Sequence, residues 1–248
     1  MVYGYIWDGN YQLSDFDWTD PNTGTPVDPS VITSENMSQF KYTLKEDVVS
    51  FEGKTIAPGD RKYRDLTGEG VVNSNDRTAI GDTNPLFNFG INNEFRIGNL
   101  DVGVFIDGSY GGKILNAFRR QLEPSLDNNI NNLSTEAWAG RWTPENGSNV
   151  YARLLNQTDQ QVSTYYVEDG SYLRIKNLNI GYTFGQKYFG RSGISKLRVY
   201  LLIDNVYTFT KYSGLDPEVR SYEKFLRALD QTSYPRTRNY MAGVNITF

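Results

Sequence analysis

The sequence predicts an all-β fold, an antiparallel sheet of strands long enough to cross a bilayer, joined by long loops. Three observations predict it. Five segments alternate apolar with polar or small residues at period two. Side chains alternate across a strand, so each segment has one greasy face and one polar face. The segments run about 10–13 residues, whereas a globular strand has about 5–6 and a tilted membrane-crossing strand needs about 9–11. Finally, 18 Tyr, 13 Phe and 23 Gly give the aromatic and glycine enrichment of an all-β protein.

In chain order, 2–13 and 39–48 are weak strand candidates. The clearest segment is Phe87–Ile97, with Phe87, Phe89, Ile91, Asn93, Phe95 and Ile97 on one face. Asn88, Gly90, Asn92, Glu94 and Arg96 oppose them. Leu100–Tyr110 repeats the pattern, and Gly98-Asn99 between the two is a two-residue hairpin signal. In 172–184 the phase changes, from Leu173 and Ile175 to Leu178, Ile180, Tyr182 and Phe184. That change predicts a bulge at Lys176-Asn177, which re-aims the alternation. Segment 197–209 carries Leu197, Val199, Leu201 and Ile203 on one face, and 240–248 closes the chain with Tyr240, Ala242, Val244, Ile246 and Phe248. Short connections (Gly98-Asn99 and 185–195) alternate with long ones (111–168, with a helix expected over 113–122, and 211–237). Outer-membrane barrels show this asymmetry, with short periplasmic turns and long outer loops. No domain boundary is visible along the chain.

Composition narrows the function. Basic and acidic residues number 25 and 29, for a net charge of −4, and no block of like charge suggests nucleic-acid binding. The sequence contains neither Cys nor His. Disulfides, thiolate zinc sites and imidazole-based catalysis are therefore excluded. No run of about 18 apolar residues exists for a transmembrane helix, a test that β-strands escape. The start, Met1-Val2-Tyr3-Gly4-Tyr5, has no basic region leading into an apolar one, so no secretory signal is expected in the chain as given.

Residues 65–76 fit an imperfect calcium loop. Such a loop wants oxygen ligands at positions 1, 3, 5, 7, 9 and 12 and glycine at 6. Asp65, Thr67, Glu69, the Val71 carbonyl, Asn73 and Asp76 take the ligand positions, with Gly70 at the turn. The alternative is a polar glycine turn with solvated carboxylates. Trp138, Trp142 and Tyr151 present flat faces suited to stacking on sugar rings, or else pack their own loop or an aromatic girdle. Asp15, Asp17 and Asp20, or Asp216 and Glu218, would be needed for carboxylate catalysis. No motif supports that use, and no catalytic residue is expected.

The stretch Val167-Glu168-Asp169-Gly170-Ser171-Tyr172-Leu173-Arg174-Ile175-Lys176-Asn177, followed by Ile180-Gly181-Tyr182-Thr183, resembles a hallmark of the SusC/RagA-type TonB-linked outer-membrane proteins of Bacteroidetes. Asp65-Leu66-Thr67-Gly68-Glu69-Gly70, Arg141-Trp142-Thr143-Pro144-Glu145-Asn146 and Thr210-Lys211-Tyr212-Ser213-Gly214-Leu215-Asp216-Pro217-Glu218 agree in order. The last strand, ending on the aromatic Phe248, resembles the terminal strand of bacterial outer-membrane proteins. The resemblance covers nearly the whole chain and matches the family's C-terminal portion. It implies the C-terminal strands of a large barrel in the outer membrane, facing lipid, with long extracellular loops. It also implies a SusD-like surface lipoprotein as lid, and oligosaccharide or peptide cargo. Energy coupling to the TonB complex would run through an N-terminal part, and that part, like the plug and signal peptide, is not in this chain. A soluble secreted glycan-binding β-sandwich is the alternative.

Overall fold

The structure, a computed structural model, describes residues 1–123, 132–154, 161–219, 228–231 and 234–248. The chain forms two compact units where the sequence alone shows no boundary. One comprises Met1–Asp82, Leu115–Glu168 and Leu229–Gln231; the other comprises Thr83–Ile114, Asp169–Ala228 and Thr232–Phe248. Each unit is assembled from separate stretches of chain, so no single linker marks their division.

The second unit is a five-stranded sheet. Its strands are β1 (Phe87–Ile97), β2 (Leu100–Tyr110), β3 (Tyr172–Gly185), β4 (Lys196–Thr210) and β5 (Asn239–Thr247). They pair antiparallel in chain order. The alternating segments read from sequence become these strands with ends shifted by no more than a residue. Gly98, with φ of 61°, takes the left-handed position that the two-residue β1–β2 turn requires. The β1–β2 and β3–β4 connections lie at one end of the sheet, and the long β2–β3 and β4–β5 connections leave from the other.

The bulge forms where the phase change predicts it. Against β2, Lys176 is an extra residue of β3: Phe105 pairs with Asn177 and the next residue, Ile106, pairs with Ile175. A second irregularity compensates on β4, where Asn205 and Val206 stand opposite the single Lys176. Asn205 adopts φ of 51°, one of the left-handed positions that Asn tolerates better than most residues. The pair of bulges keeps Leu173, Ile175, Leu178, Ile180 and Tyr182 on the face shared by Tyr207, Ile203, Leu201 and Val199.

The first unit is built on a core of Tyr5, Tyr11, Phe16, Trp18, Ile32, Phe51, Ile56, Tyr63 and Val72. Its strands are short. Trp7–Asn10 pairs with Arg61–Tyr63, and Phe16–Thr19 lies between Pro26–Val27 and Lys41–Leu44. The weak candidate 2–13 is thus broken into Val2–Gly4 and Trp7–Asn10, and 39–48 shrinks to Lys41–Leu44. The helix expected over 113–122 starts later, as a strand at Lys113–Asn116 followed by a helix at Ala117–Leu122. Asn116 is the reason: its side chain accepts the Arg119 N–H at 2.9 Å and caps the helix there.

Gly181 ties sequence to packing in the sheet. It faces Asp101 across the β2–β3 ladder, and the Arg198 guanidinium reaches over it to that carboxylate, with Nε at 3.1 Å. A β-carbon at Gly181 would lie 2.5 Å from the guanidinium and 2.6 Å from the Asp101 carboxylate. Gly181→Val is expected to break this bridge and destabilise the sheet by about 1–3 kcal/mol, the usual cost of overpacking. Thermal unfolding in detergent measures it, and an unchanged midpoint would show the bridge can move aside freely.

Candidate functional site

The sheet's two faces differ chemically. On one, the register lines up Phe87, Phe89, Ile91, Phe95 and Ile97 with Leu100, Val102, Val104 and Ile106. The row continues through β3, β4 and β5 to Tyr240, Ala242, Val244 and Ile246. Asn93 and Gly108 are its two non-apolar members among these aligned positions. The face is open to its surroundings: Ile91 is 49% exposed and Val244 57%. A soluble sandwich would bury these side chains under a second layer. A face meant for hydrocarbon leaves them bare.

Aromatic residues bound this face obliquely. Tyr240 lies level with Ile203, Leu178, Val104 and Asn93, six residues below Phe87. Tyr110, Phe209 and Tyr207 fall near the line between Phe87 and Tyr240. The lower row descends in the same way, because Phe95 lies level with Val102, Ile180, Leu201 and Ala242, and Phe248 is six residues below Ala242. Each row thus falls about 20 Å along the strands over about 19 Å across them, which corresponds to a strand tilt of about 45°. Membrane-spanning strands tilt by about that much. Phe87 to Phe95 and Tyr240 to Phe248 each span eight residues. That is about 27 Å along a strand, or about 19 Å along the normal at that tilt.

The opposite face is more polar, although Phe105, Tyr200, Leu202 and Met241 share it, and many of its charges are paired. Besides Asp101–Arg198, Lys176 Nζ lies 3.0 Å from Asp107, and Asn177 donates to Asp204 at 2.8 Å. At the long-loop end, buried Arg174 holds Asp216 at 2.6 Å, Glu218 at 3.2 Å and the Thr208 hydroxyl at 2.8 Å. Arg236 takes the other Glu218 oxygen. Asp216 and Glu218 are therefore partners of arginines rather than an acid/base pair. Asp15 closes a turn by accepting the Gln12 N–H at 2.9 Å, and Asp20 accepts that of Asn22 at 2.8 Å.

In the 65–76 loop, two carboxylates organise the backbone. Asp65 accepts from the N–H groups of Thr67, Gly68 and Gly70 at 3.0, 2.7 and 2.7 Å. Buried Asp76 accepts from Leu66, Thr67 and Asn73 at 2.8, 3.1 and 2.7 Å. The Thr67 hydroxyl lies 3.1 Å from both. For each carboxyl, desolvation pushes the pKa up, but these bonds outweigh it and hold the group below the ordinary Asp range. Glu69 accepts from the Asn73 amide at 2.9 Å, and the Asn73 oxygen caps the next turn by accepting the Asn75 N–H. The parallel ladder with Ser50–Phe51 uses the carbonyls of Gly70 and Val72. Carbonyls alternate along a strand, so that of Val71 points away from the ladder. Among the described residues no three acidic side chains gather closely enough to hold a metal by themselves.

The three loop aromatics fare differently. Trp138 is 51% exposed on the helix Thr135–Gly140, with the Arg141 guanidinium 4.1 Å from one ring face. Trp142 is buried over Gly59, where a β-carbon would strike its ring, and donates to Gln12 at 3.2 Å. Tyr151 is half-buried against Gly140. Of the three, Trp138 keeps a ring face open for a ligand.

Sequence reading missed a buried network in the first unit. Arg61 pairs with Glu123 at 2.6 Å and stacks 3.6 Å above the Tyr165 ring, while Arg119 and the Tyr165 hydroxyl bind the other Glu123 oxygen at 2.8 and 2.9 Å. The residues are far apart in the chain and form no motif. The one local signal is Arg119–Glu123, four apart. This network ties Arg61, next to the 65–76 loop in sequence, to Arg119, Glu123 and Tyr165.

No family model matches the chain. It is 35% identical to TonB-dependent receptor P3 of Formosa agariphila, over 77% of this chain and 19% of that protein. It is 24% identical to TonB-dependent receptor SusC of Bacteroides thetaiotaomicron, over 84% of this chain and 19% of SusC. The chain thus spans about a fifth of the length of these curated relatives. Its fold matches that in the structure of the RagAB peptide importer in the 'closed-closed' state, with a TM-score of 0.65 and 21% identity, over all of this chain and 23% of that one.

Asp76→Ala strands the N–H groups of Leu66 and Asn73 and should cost about 1–3 kcal/mol in thermal unfolding; a loss well under that range would mean water replaces the carboxylate. Carboxyls with depressed folded pKa values stabilise above their unfolded pKa, and this is lost as pH falls through the folded one. Ser34 donors lower Glu145 to about 2. The contact of residue 34 with Glu145 should therefore persist in hydrogen exchange from neutral pH to below 4, and its loss at pH 5 would contradict the geometry.

Proposed function

Because the chain is, in sequence and fold, of the SusC/RagA type of TonB-dependent receptor, we propose that it supplies wall strands and outer loops to an outer-membrane nutrient importer. The observation that carries this reading is the apolar face bounded by two oblique aromatic rows. Such a face is costly in water and suited to lipid. The more polar opposite face then lines the barrel interior. The long connections lie outside the cell, where a SusD-like lipoprotein closes over them, and the TonB complex supplies energy from the periplasmic side. RagAB is called a peptide importer, so peptides stand beside oligosaccharides as cargo. Trp138 is the loop aromatic proposed to meet cargo. The relatives are named as receptors, and no step here requires a catalytic group.

For the 65–76 loop we propose a structural calcium ion. Its support is the ligand spacing, the free-pointing Val71 carbonyl and the convergence of Asp65, Asp76 and the Thr67 hydroxyl, all hard oxygens. Waters would complete the shell. Calcium should raise the unfolding midpoint of the intact protein and chelator should lower it, with the difference lost in Asp65→Asn. Identical midpoints with and without calcium would remove the ion from the account.

The membrane reading is tested by paired substitutions. Val104→Arg puts a charge mid-band on the apolar face, at about 2–4 kcal/mol, whereas Asn92→Arg lies on the polar face and should be tolerated. Only Val104→Arg is expected to abolish carbonate-resistant membrane protein. Equal insertion of both would sink the lipid-facing assignment. In cells making the full-length protein, uptake should need TonB, and Trp138→Ala should raise the half-saturating cargo concentration.

A further inference from the structure

The lower aromatic row runs into a basic turn. From Phe95 to Phe248 the row drops six residues over four steps between strands, so it crosses β3, two steps along, three residues past Ile180. That point lies between Tyr182 and Phe184. Both belong to the apolar face, because Tyr182 is aligned with Val199 and Val244, and Phe184 with Leu197 and Ile246. Their rings meet edge to face at 4.7 Å, and the Tyr188 ring packs against Phe184 in the same way at 5.7 Å. Tyr188 closes the one-turn helix Gln186–Tyr188 that follows β3, and it is 54% exposed. The Lys187 ammonium lies 5.0 Å from the centre of the Tyr188 ring. Ring contacts therefore extend the apolar face past the end of β3 and set a cation at its margin.

Residues 185–196, the whole β3–β4 connection, contain Lys187, Arg191 and Lys196 and no Asp or Glu. All three cations are exposed, and among the described residues none forms an ion pair. The polar face differs, since there Lys176 faces Asp107 and Arg198 faces Asp101. Lys196 alternates with Leu197 and so starts on that other face. Lys187 is thus the cation that the aromatic contacts place beside the apolar face, with Arg191 and Lys196 adding charge around it.

We propose that this turn binds the headgroup of an anionic phospholipid in the periplasmic leaflet. A lysine can lay its stem along apolar surface and keep its ammonium at headgroup level, and a tyrosine at the interface keeps its ring in the apolar layer and its hydroxyl in the polar one. The Lys187 ammonium meets a phosphate oxygen, and the acyl chains lie against Tyr188, Phe184 and Tyr182. Arg191 and Lys196 contribute positive potential that fades within a Debye length. A soluble phosphate would gain nothing from the three rings, which is why a lipid is favoured. The proposal rests on the membrane reading of the apolar face, with the short connections on the periplasmic side.

The test uses the full-length protein, extracted from its own outer membrane in mild detergent and reconstituted in nanodiscs of phosphatidylcholine with phosphatidylglycerol. Native mass spectrometry counts the phosphatidylglycerol retained. Lys187→Gln should lower retention about fivefold, the factor expected for one cation at an anionic lipid surface. Lys187→Arg should restore it, which separates lost charge from lost fold. Lys54→Gln, at an exposed lysine of the first unit, should leave it unchanged. Unchanged retention in Lys187→Gln would overturn the proposal, as would an equal fall in Lys54→Gln, which would mark a net-charge effect. Displacement by millimolar inorganic phosphate would also overturn it, by marking an ion site rather than a lipid site. Carbonate-resistant membrane residence of every variant separates this failure from a failure of the membrane reading, which would remove the protein from the membrane altogether.

Discussion

The sheet depends on one constraint: in hydrocarbon, each backbone N–H and C=O must be paired while the greasy side chains stay on one face. A slip of one residue would turn a whole strand inside out. The β3 bulge shows how strict this is. An extra residue at Lys176 would throw the strand out of phase with β2, so the sequence changes its own alternation at that point. The irregularity at Asn205-Val206 then restores the register with β4. Phase change and bulge are the same fact, stated once in side chains and once in hydrogen bonds.

The polar face obeys a different economy. Many of its charges are held in pairs, and most of these are partly exposed, so each contributes modestly on its own. Arg174 differs because it is buried. Its worth lies less in attraction than in what its loss would leave: Asp216 without its guanidinium partner in a site largely removed from water. Glycine makes such pairing feasible across strands. At Gly181 the missing side chain lets a β4 arginine reach a β2 aspartate over the intervening strand.

What was legible in the sequence follows from these rules. Strands that must alternate over nine or more residues leave a long periodic trace, and so Phe87–Ile97 and Leu100–Tyr110 could be read to the residue. The first unit left no such trace. Its strands are two to four residues long, too short for a period, and its core is assembled from aromatic and aliphatic side chains scattered between Tyr5 and Val72. The division into two units escaped notice for the same reason, since neither unit is continuous in the chain. Trp138 and Trp142 are four residues apart and chemically alike. One is open and the other covers Gly59, and only a long-range contact separates their roles. The carboxylates of 65–76 were placed by spacing, but spacing is silent about how many backbone donors each would gather.

The two outer strands impose a further demand. Among the described residues, β1 pairs through one edge with β2, and β5 through one edge with β4. Each leaves a second edge of alternating donors and acceptors at the depth of the apolar band. In water such an edge is hydrated and merely sticky. In hydrocarbon every unpaired group costs several kcal/mol, so the sum over either strand would exceed the stability of an ordinary domain. Five strands with this apolar face therefore require further strands on both sides, a demand that agrees with a chain spanning about a fifth of its relatives.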